Sequence, residues 1–280
     1  MTRLASLSLS ISIVTYRQEQ DPLRECLGSL GHAVDFARQQ GSIQDCSLTV
    51  IDNSTDKNIH DELGKLLISA WQLPGTVPQL LEMQRNLGYG MAHNLAISAS
   101  NMDYHLVLNP DVVLDREALH NAVGFMQAHE RTVLLTPSVC NADGNREYLN
   151  KDYPDVTTLL LRGFAPAFIK RHFTARIARY ELHNSDPAQS QHDIPLASGC
   201  FMFCKTAILQ QVGGFMDRYF LYFEDYDLSM RLHELGEIAY TPDVRIVHYG
   251  GNAAKKGVRH IFLFVRSAIT FFNQHGWKLW

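Results

Sequence analysis

The sequence predicts an α/β protein with a mostly parallel central sheet and helices on both faces. Strand-like and helix-like stretches alternate from residue 7 to residue 108, the order that right-handed crossovers between parallel strands require. Polar residues fall at the C-terminal ends of the successive strand-like stretches, as Thr15-Tyr16, Asp52-Asn53, Asn86 and Asn109-Pro110-Asp111. That edge is where open α/β sheets bind ligands. A content of 46% hydrophobic and 19% charged residues over 280 positions supplies an ample core for one large domain or two small ones.

Each element has its own warrant. Residues 7–15 alternate, with Leu7, Leu9, Ile11 and Ile13 on one face of a first strand. Asp21-Pro22 opens a helix, with Asp21 as N-cap and Leu23, Cys26, Leu27, Leu30, Val34 and Ala37 at helical spacing. A strand over 47–51, a helix over 61–71, a weak strand over 80–83, a helix over 92–99 and a strand over 105–108 follow. Asp115 is then expected to cap another helix. Gly88-Tyr89-Gly90 lacks the spacing of a dinucleotide fingerprint, and no GxxxxGK[ST] sequence exists, which argues against a P-loop ATPase or kinase.

Past residue 141 the alternation stops. Asp143-Gly144 marks a turn, and residues 184–193 read as a polar loop. Residues 159–180 predict a basic amphipathic helix, which either faces solvent or meets an anionic lipid or lipid-linked partner. Order returns near 194–204, where Ser198-Gly199 precedes a strand, and again in strands over 238–240 and 244–247 that lead to His248. The stretch 258–280 mixes Phe, Trp, Arg and Lys, as expected of a helix that packs on the domain or attaches at an interface.

A net charge of −4 argues against a nucleic-acid binder. Five cysteines without paired spacing suit a reducing compartment. No apolar run reaches spanning length, and the Ser/apolar alternation near the N-terminus reads as strand. Together these predict a cytoplasmic protein.

The chemistry concentrates at 213–232. Glu224, Asp225 and Asp227 stand behind Tyr219, Phe220, Tyr222 and Phe223 and ahead of a helix. The carboxylates are either helix caps, with Arg231 paired back at i,i+4, or one of them is a general base that the aromatic residues shield from water. Asp111 offers a hard oxygen ligand to Mg²⁺ or Mn²⁺ beside a diphosphate. His248, after a strand and before Gly250 and Gly251, has a ligand-like setting.

In order, SIVTY (12–16), IDNSTD (51–56), NLGYGMAHN (86–94), NPDVVLD (109–115), SGCFMF (198–203), FMDRYFLYFEDYDLSMRL (215–232) and HYGG (248–251) resemble glycosyltransferase family 2. These are inverting enzymes of the GT-A fold, a Rossmann-like nucleotide-diphospho-sugar transferase fold. Within the family the chain looks most like the bacterial rhamnosyltransferase branch, whose members build cell-surface polysaccharides such as O-antigen and capsule. The resemblance implies that Thr15, Tyr16, Asp52 and Asn53 hold the nucleoside. Asn86, Asn94, Asn109, Ser198 and Gly199 would shape the nucleotide-sugar site. Asp111 and His248 would bind Mg²⁺ or Mn²⁺, with Asn109 standing where many members carry Asp. Asp225 matches the family's base, supported by Glu224 and Asp227.

The implied activity is a hexosyl transfer, best matched by rhamnose from dTDP-rhamnose, with a UDP-sugar as the other donor class. The acceptor is a lipid-linked or saccharide hydroxyl. A catalytically silent sugar-binding partner of an assembly complex is the alternative. The implied organisation is a transferase domain over 1–257, with a nucleotide half at 1–115 and an acceptor half at 116–257, followed by an amphipathic helix over 258–280. Peripheral contact with the inner membrane and a homodimer complete the expected partners.

Overall fold

The computed structural model of the chain describes residues 7–250 and 257–280. Gly251 of the HYGG segment lies outside them. One nine-stranded sheet runs through both expected halves in the order β3-β2-β1-β4-β8-β6-β9-β5, with β7 paired to β6. Strands β1 (Leu7–Thr15), β2 (Ile43–Asp52), β3 (Gln79–Glu82) and β4 (Tyr104–Leu108) are parallel neighbours. Their register places Thr15 beside Asp52 and Ile13 beside Leu108. The polar strand ends thus share one edge, as the sequence predicts.

Helices α1 (Gln20–Gln39), α2 (Lys57–Ala70) and α3 (Tyr89–Ala99) connect these strands. Each begins earlier than its apolar pattern. Asp21 lies inside the first turn of α1 rather than at its N-cap. For α2, Asp56 caps the helix by accepting from Asn58 N, which adds a turn before residue 61. Asp115 also departs from expectation. It accepts from Glu117 N in a turn, and α4 (Ala118–Ala128) starts afterwards.

The second half is mixed. β8 (Phe201–Lys205) runs antiparallel to both β4 and β6 (Thr132–Cys140), and β9 (Glu237–His248) is parallel to β6. Strand β5 (Val112–Leu114) is too short to show period-two alternation, and it pairs antiparallel with the end of β9. The two expected strands at 238–247 are one, β9. The register against β6 shifts between Thr136 and Ser138, and this irregularity lets the strand pass Pro242. Asp143-Gly144 turns β6 into β7 (Arg146–Glu147), with Gly144 in the left-handed region.

The expected basic helix is three short helices: α5 (Val156–Phe164), α6 (Ala167–Lys170) and α7 (Thr174–Tyr180). Pro166, without an N–H, breaks the run after α5. Helix α8 (Thr206–Gln211) follows β8, α9 (Glu224–Leu232) carries the acidic cluster, and α10 (Val258–His275) closes the fold.

The main core lies between the sheet and α1, α2 and α4. A separate aromatic cluster joins segments far apart in sequence: Leu159 and Tyr180, Tyr219 and Phe223, and Phe271 and Phe272. Through it, α10 is fastened to the elements that carry the acidic cluster. Phe271, fully buried among Tyr153, Phe223, Tyr226 and Phe272, is the central ring. Phe271→Ala is expected to lower unfolding stability by about 3–5 kcal/mol, measured by urea titration.

Candidate active site

A cavity of about 310 Å³ opens at the C-terminal edge of the parallel strands. Thr15, Tyr16, Asn53, Asn86, Asn109 and Asp111 all line it, so most of the sequence-predicted ligand residues meet in one place. Asp52 stands just behind. Its Oδ1 accepts from the Thr15 hydroxyl (3.2 Å) and from Ser54 N (3.0 Å), while Oδ2 is buried without a hydrogen bond. The His60 ring lies 3.5 Å from that oxygen, so Asp52 is held from behind while it fixes Thr15 and Ser54. Asn53 fixes the floor, donating to Gly88 O (2.9 Å) and accepting from Leu87 N (3.2 Å).

Gly88 is required by geometry. Its φ is +83°, and a Cβ there would collide with the carbonyl oxygen of Phe220. Asn86 Oδ1 accepts from Gly88 N (2.8 Å) and holds that turn. Asn94 differs from expectation. Its amide accepts from Phe215 N (2.9 Å) and donates to Phe215 O (2.7 Å), so it fastens the turn ahead of the aromatic segment and does not line the cavity.

Asp111 and His248 converge, with His248 Nε2 3.5 Å from Asp111 Oδ1. Asp111 Oδ1 is buried and has no hydrogen-bond partner. A Cβ on Gly250 would sit 2.6 Å from both Asp111 Oδ2 and His248 Nε2. A carboxylate oxygen and an imidazole nitrogen, with open space kept by glycine, fit a divalent cation. Among the described residues no group of three or more His, Cys, Asp or Glu side chains forms a metal site, so other ligands would come from the donor diphosphate and water. Glu147 Oε2 lies 3.3 Å from His248 Nδ1, the carboxylate partner that orients a ligating imidazole. Burial opposes the charge on His248, but Asp111 and Glu147 outweigh it and raise its pKa.

The acidic cluster sits one layer away. Asp225 Oδ2 accepts from Gly199 N (2.9 Å) and Oδ1 from Tyr226 N (2.9 Å). The Tyr89 hydroxyl lies 2.6 Å from Gly199 O and 3.0 Å from Asn109 Oδ1, linking this carboxylate to the cavity wall. Burial first, and then charges that include Glu224, Asp225 and Asp111, push the Tyr89 hydroxyl well up. One hydroxyl therefore feels both acidic groups. On the far side, Ser198 borders a narrow polar cleft with Arg146, Glu147, Asn150, Glu181 and Gln191.

The N-cap residue of α9, Phe223, makes no side-chain cap bond. Asp225 instead accepts from the first-turn Tyr226 N, as the capping expectation has it, while Asp227 caps nothing and takes the expected i,i+4 pair with Arg231. Tyr222 and Phe223 are both left-handed, at φ +70° and +64°, a conformation that costs about 1–3 kcal/mol per residue. Asp227 is structural: it pairs with Arg231 at i,i+4 (2.8 Å) and with His275 of α10 (3.0 Å). Burial raises the Asp225 pKa to about 6 despite its backbone donors. Burial and then the charge of Asp225 push Glu224 well above the carboxylate range.

The sequence reading missed Glu147, His60, Tyr89 and Arg259. His60 donates to Ser54 O (2.9 Å) and lies 3.5 Å from Asp52 Oδ2. Arg259, in the first turn of α10, lines the cavity with His260. Tyr89 lay inside a noted motif. The other three owe their place to strand order and helix docking.

A parallel sheet with a nucleotide-sized cavity at its edge, a metal-suited Asp/His pair and a poised carboxylate define a nucleotide-sugar transferase of the GT-A kind. The description Glycosyl transferase family 2 matches residues 10–212, and the chain belongs to that family. It is 26% identical over 219 residues to the N-acetylglucosaminyl-diphospho-decaprenol L-rhamnosyltransferase of Mycobacterium tuberculosis, covering 71% of this chain and 68% of that protein. It is 24% identical over 172 residues to the rhamnosyltransferase WbbL of Escherichia coli, covering 58% and 61%.

Among solved structures, S. aureus TarS 1-349 aligns over 95% of this chain at a TM-score of 0.56 and 16% identity. GalNAc-T7 with UDP, GalNAc and Mn²⁺ aligns over 88% at 0.62 and 13%. The chain spans 66% and 43% of those two structures, and at such identities they bear on fold alone. Among the described residues no helix is long and apolar enough to cross a membrane.

A stability prediction follows from the acidic pair. A carboxyl whose pKa is raised by folding holds its proton better folded than unfolded, so stability is present at low pH and lost as pH rises. Glu224→Gln is expected to unfold at higher temperature than the parent near pH 7. The gap should close by about pH 4, where the unfolded carboxyl is also protonated; scanning calorimetry across pH reads both.

Proposed function

We propose that this glycosyltransferase is an inverting enzyme that moves rhamnose from dTDP-rhamnose to a hydroxyl of a lipid-linked or polysaccharide acceptor. The observation that carries the mechanism is the setting of Asp225: a half-buried carboxylate with a pKa near 6, fixed by two backbone N–H groups and joined through Gly199 and Tyr89 to the cavity. A base with that pKa is ionised at neutral pH yet basic enough to take a proton. The rhamnosyl and lipid-linked assignments rest on the names of the two relatives above.

The nucleoside would lie against Thr15, Tyr16, Asp52 and Asn53, with the diphosphate directed toward Asp111, His248 and Arg259. Asp225 takes the acceptor hydroxyl proton as that oxygen bonds to the anomeric carbon from the opposite face. The bond from that carbon to the diphosphate oxygen breaks, and its electron pair leaves with the diphosphate. The sugar's configuration inverts. What a bound divalent cation supplies here is positive charge against the departing diphosphate, and Asp111 and His248 are the side chains that would hold it. Arg259 offers a guanidinium to the same anion. Burial and the charge of Asp225 push Glu224 toward its protonated form, which favours Asp225 as the charged member of the pair.

The decisive test separates binding from chemistry. Asp225→Asn is expected to lose turnover by at least about a thousandfold while keeping the thermal shift produced by dTDP or UDP. The parent's kcat/KM should fall as pH drops through about 6. Normal turnover by Asp225→Asn would remove the base assignment. Absence of any nucleotide shift in the parent would favour the silent binding partner.

A second variant tests the cation site. Asp111→Ala should abolish the part of the nucleotide shift that depends on added Mn²⁺ or Mg²⁺, and isothermal titration should show weaker metal-dependent nucleotide binding.

A further inference from the structure

Two stretches read separately in the sequence are brought together by the fold. Val156 N and Thr157 N at the start of α5 donate to Lys278 O and Leu279 O (2.9 and 3.2 Å), and the Tyr153 hydroxyl donates to Gly276 O (2.7 Å). Arg176 of α7 stacks on Trp280 at 3.9 Å, and Phe173 meets the same ring edge-on. Residues 156–180 and 258–280 thus form one continuous surface. Their 48 residues hold eight arginines and lysines and no aspartate or glutamate, in a chain whose net charge is −4.

That surface is also apolar where it is exposed. On α10, Val258, Phe262, Val265 and Ile269 follow at i, i+4, i+7 and i+11, one exposed stripe on the side opposite the buried Ser267 and Phe271, and it ends at the buried Phe272. Phe262 is 65% exposed and Trp280 is 70% exposed. The stripe leads to Trp277, whose indole N–H donates to Asn273 one turn beyond Ile269 (2.9 Å). Phe168 on α6 and Leu160 on α5 are exposed as well. Flanking acids neutralise some of the cations: Asp155 pairs with Arg176, Glu181 with Arg162, and Asp152 lies 3.8 Å from Arg179. Lys170, Arg171, Arg266 and Lys278 have no ion pair among the described residues.

We propose that this face, formed by the outer stripe of α10, the segment after it and α5–α7, docks on an anionic membrane surface. It deepens the reading of a lipid-linked acceptor and rests on that reading for its purpose. An exposed row of Phe, Ile, Val and Trp supplies apolar area for the headgroup boundary, and cations without carboxylate partners supply attraction to acidic lipid. A second copy of the chain suits the face less well, because symmetric pairing would set one acid-free basic surface against another. The inner side of the same helix meets the donor cavity through Arg259 and Leu263, so docking would bring the cavity close to the bilayer from which such an acceptor is presented.

The test is co-sedimentation of the full chain with vesicles of phosphatidylglycerol and phosphatidylcholine, against vesicles of phosphatidylcholine alone. The parent should pellet with the anionic vesicles at low salt, less at high salt, and not with the neutral ones. Phe262→Ser with Ile269→Ser, and separately Arg266→Glu with Lys278→Glu, should each lower the partition at least about tenfold. Both variants should retain the parent's melting temperature and nucleotide shift.

A parent that stays in the supernatant with anionic vesicles at low salt overturns the proposal, as do paired variants that bind like the parent. A dimer that falls apart in Phe262→Ser with Ile269→Ser while vesicle binding is unchanged assigns the face to a second copy and also overturns it. Vesicle binding by a protein that shows no nucleotide shift would instead leave this face standing and remove the transferase reading.

Discussion

The site depends on one buried carboxylate. Asp227 is fully inaccessible and is gripped by Arg231 from its own helix and by His275 from α10. Arg231 also donates to Val212 O (2.7 Å), so the pair reaches the turn that leads into the aromatic segment. Removing one partner from such an arrangement costs about 3–5 kcal/mol, because a charge is left buried and unpaired. The arrangement decides where the N-terminus of α9 points. It also seats α10 against α9, which in turn sets one wall of the donor cavity. Asp227 supports Asp225 at a distance, by fixing the backbone that carries it.

That fixed backbone explains how an unfavourable pair of acids persists. Glu224 and Asp225 are adjacent, largely buried and pushed toward the protonated form, and two left-handed non-glycine residues precede them. Each feature opposes folding. They are offset by the aromatic packing of Tyr219 and Phe223 against α10, by the Tyr222 hydroxyl 2.9 Å from His260 Nδ1, and by the two backbone donors on Asp225. Strain and a raised pKa thus coincide at the carboxylate proposed as the base.

The parallel half was legible because its signals are local. Alternation in β1, helical spacing in α1 and polar residues at strand ends are all readable within about twenty positions, and they brought Thr15, Asn53, Asn86, Asn109 and Asp111 to one cavity. Helix starts were misplaced where no side chain marks them: α1 follows Glu19, which makes no cap bond, and α9 follows Phe223. The mixed half was harder because its partners are set by sheet order. Nothing near Glu147 announces that a two-residue strand will place it beside His248. Asn94 shows the opposite error. Its motif suggested a ligand contact, and its amide is consumed by Phe215. A motif reports that a residue matters but does not separate touching a ligand from holding a turn.

Helix α10 shows how one element can join these levels. Its aromatic side completes the cluster that stabilises α9, its first turn reaches the cavity, and among the described residues its remaining face is apolar and exposed. A helix kept only for packing would be expected to carry polar residues on that third face. Instead Val258, Phe262, Val265 and Ile269 hold the helical period outward. Acidic residues, abundant elsewhere in the chain, are absent from α10 and from α5–α7. Stability of the domain alone does not require either property. Both follow if the helix that packs on α9 must also present the cavity to an acceptor held at an anionic surface.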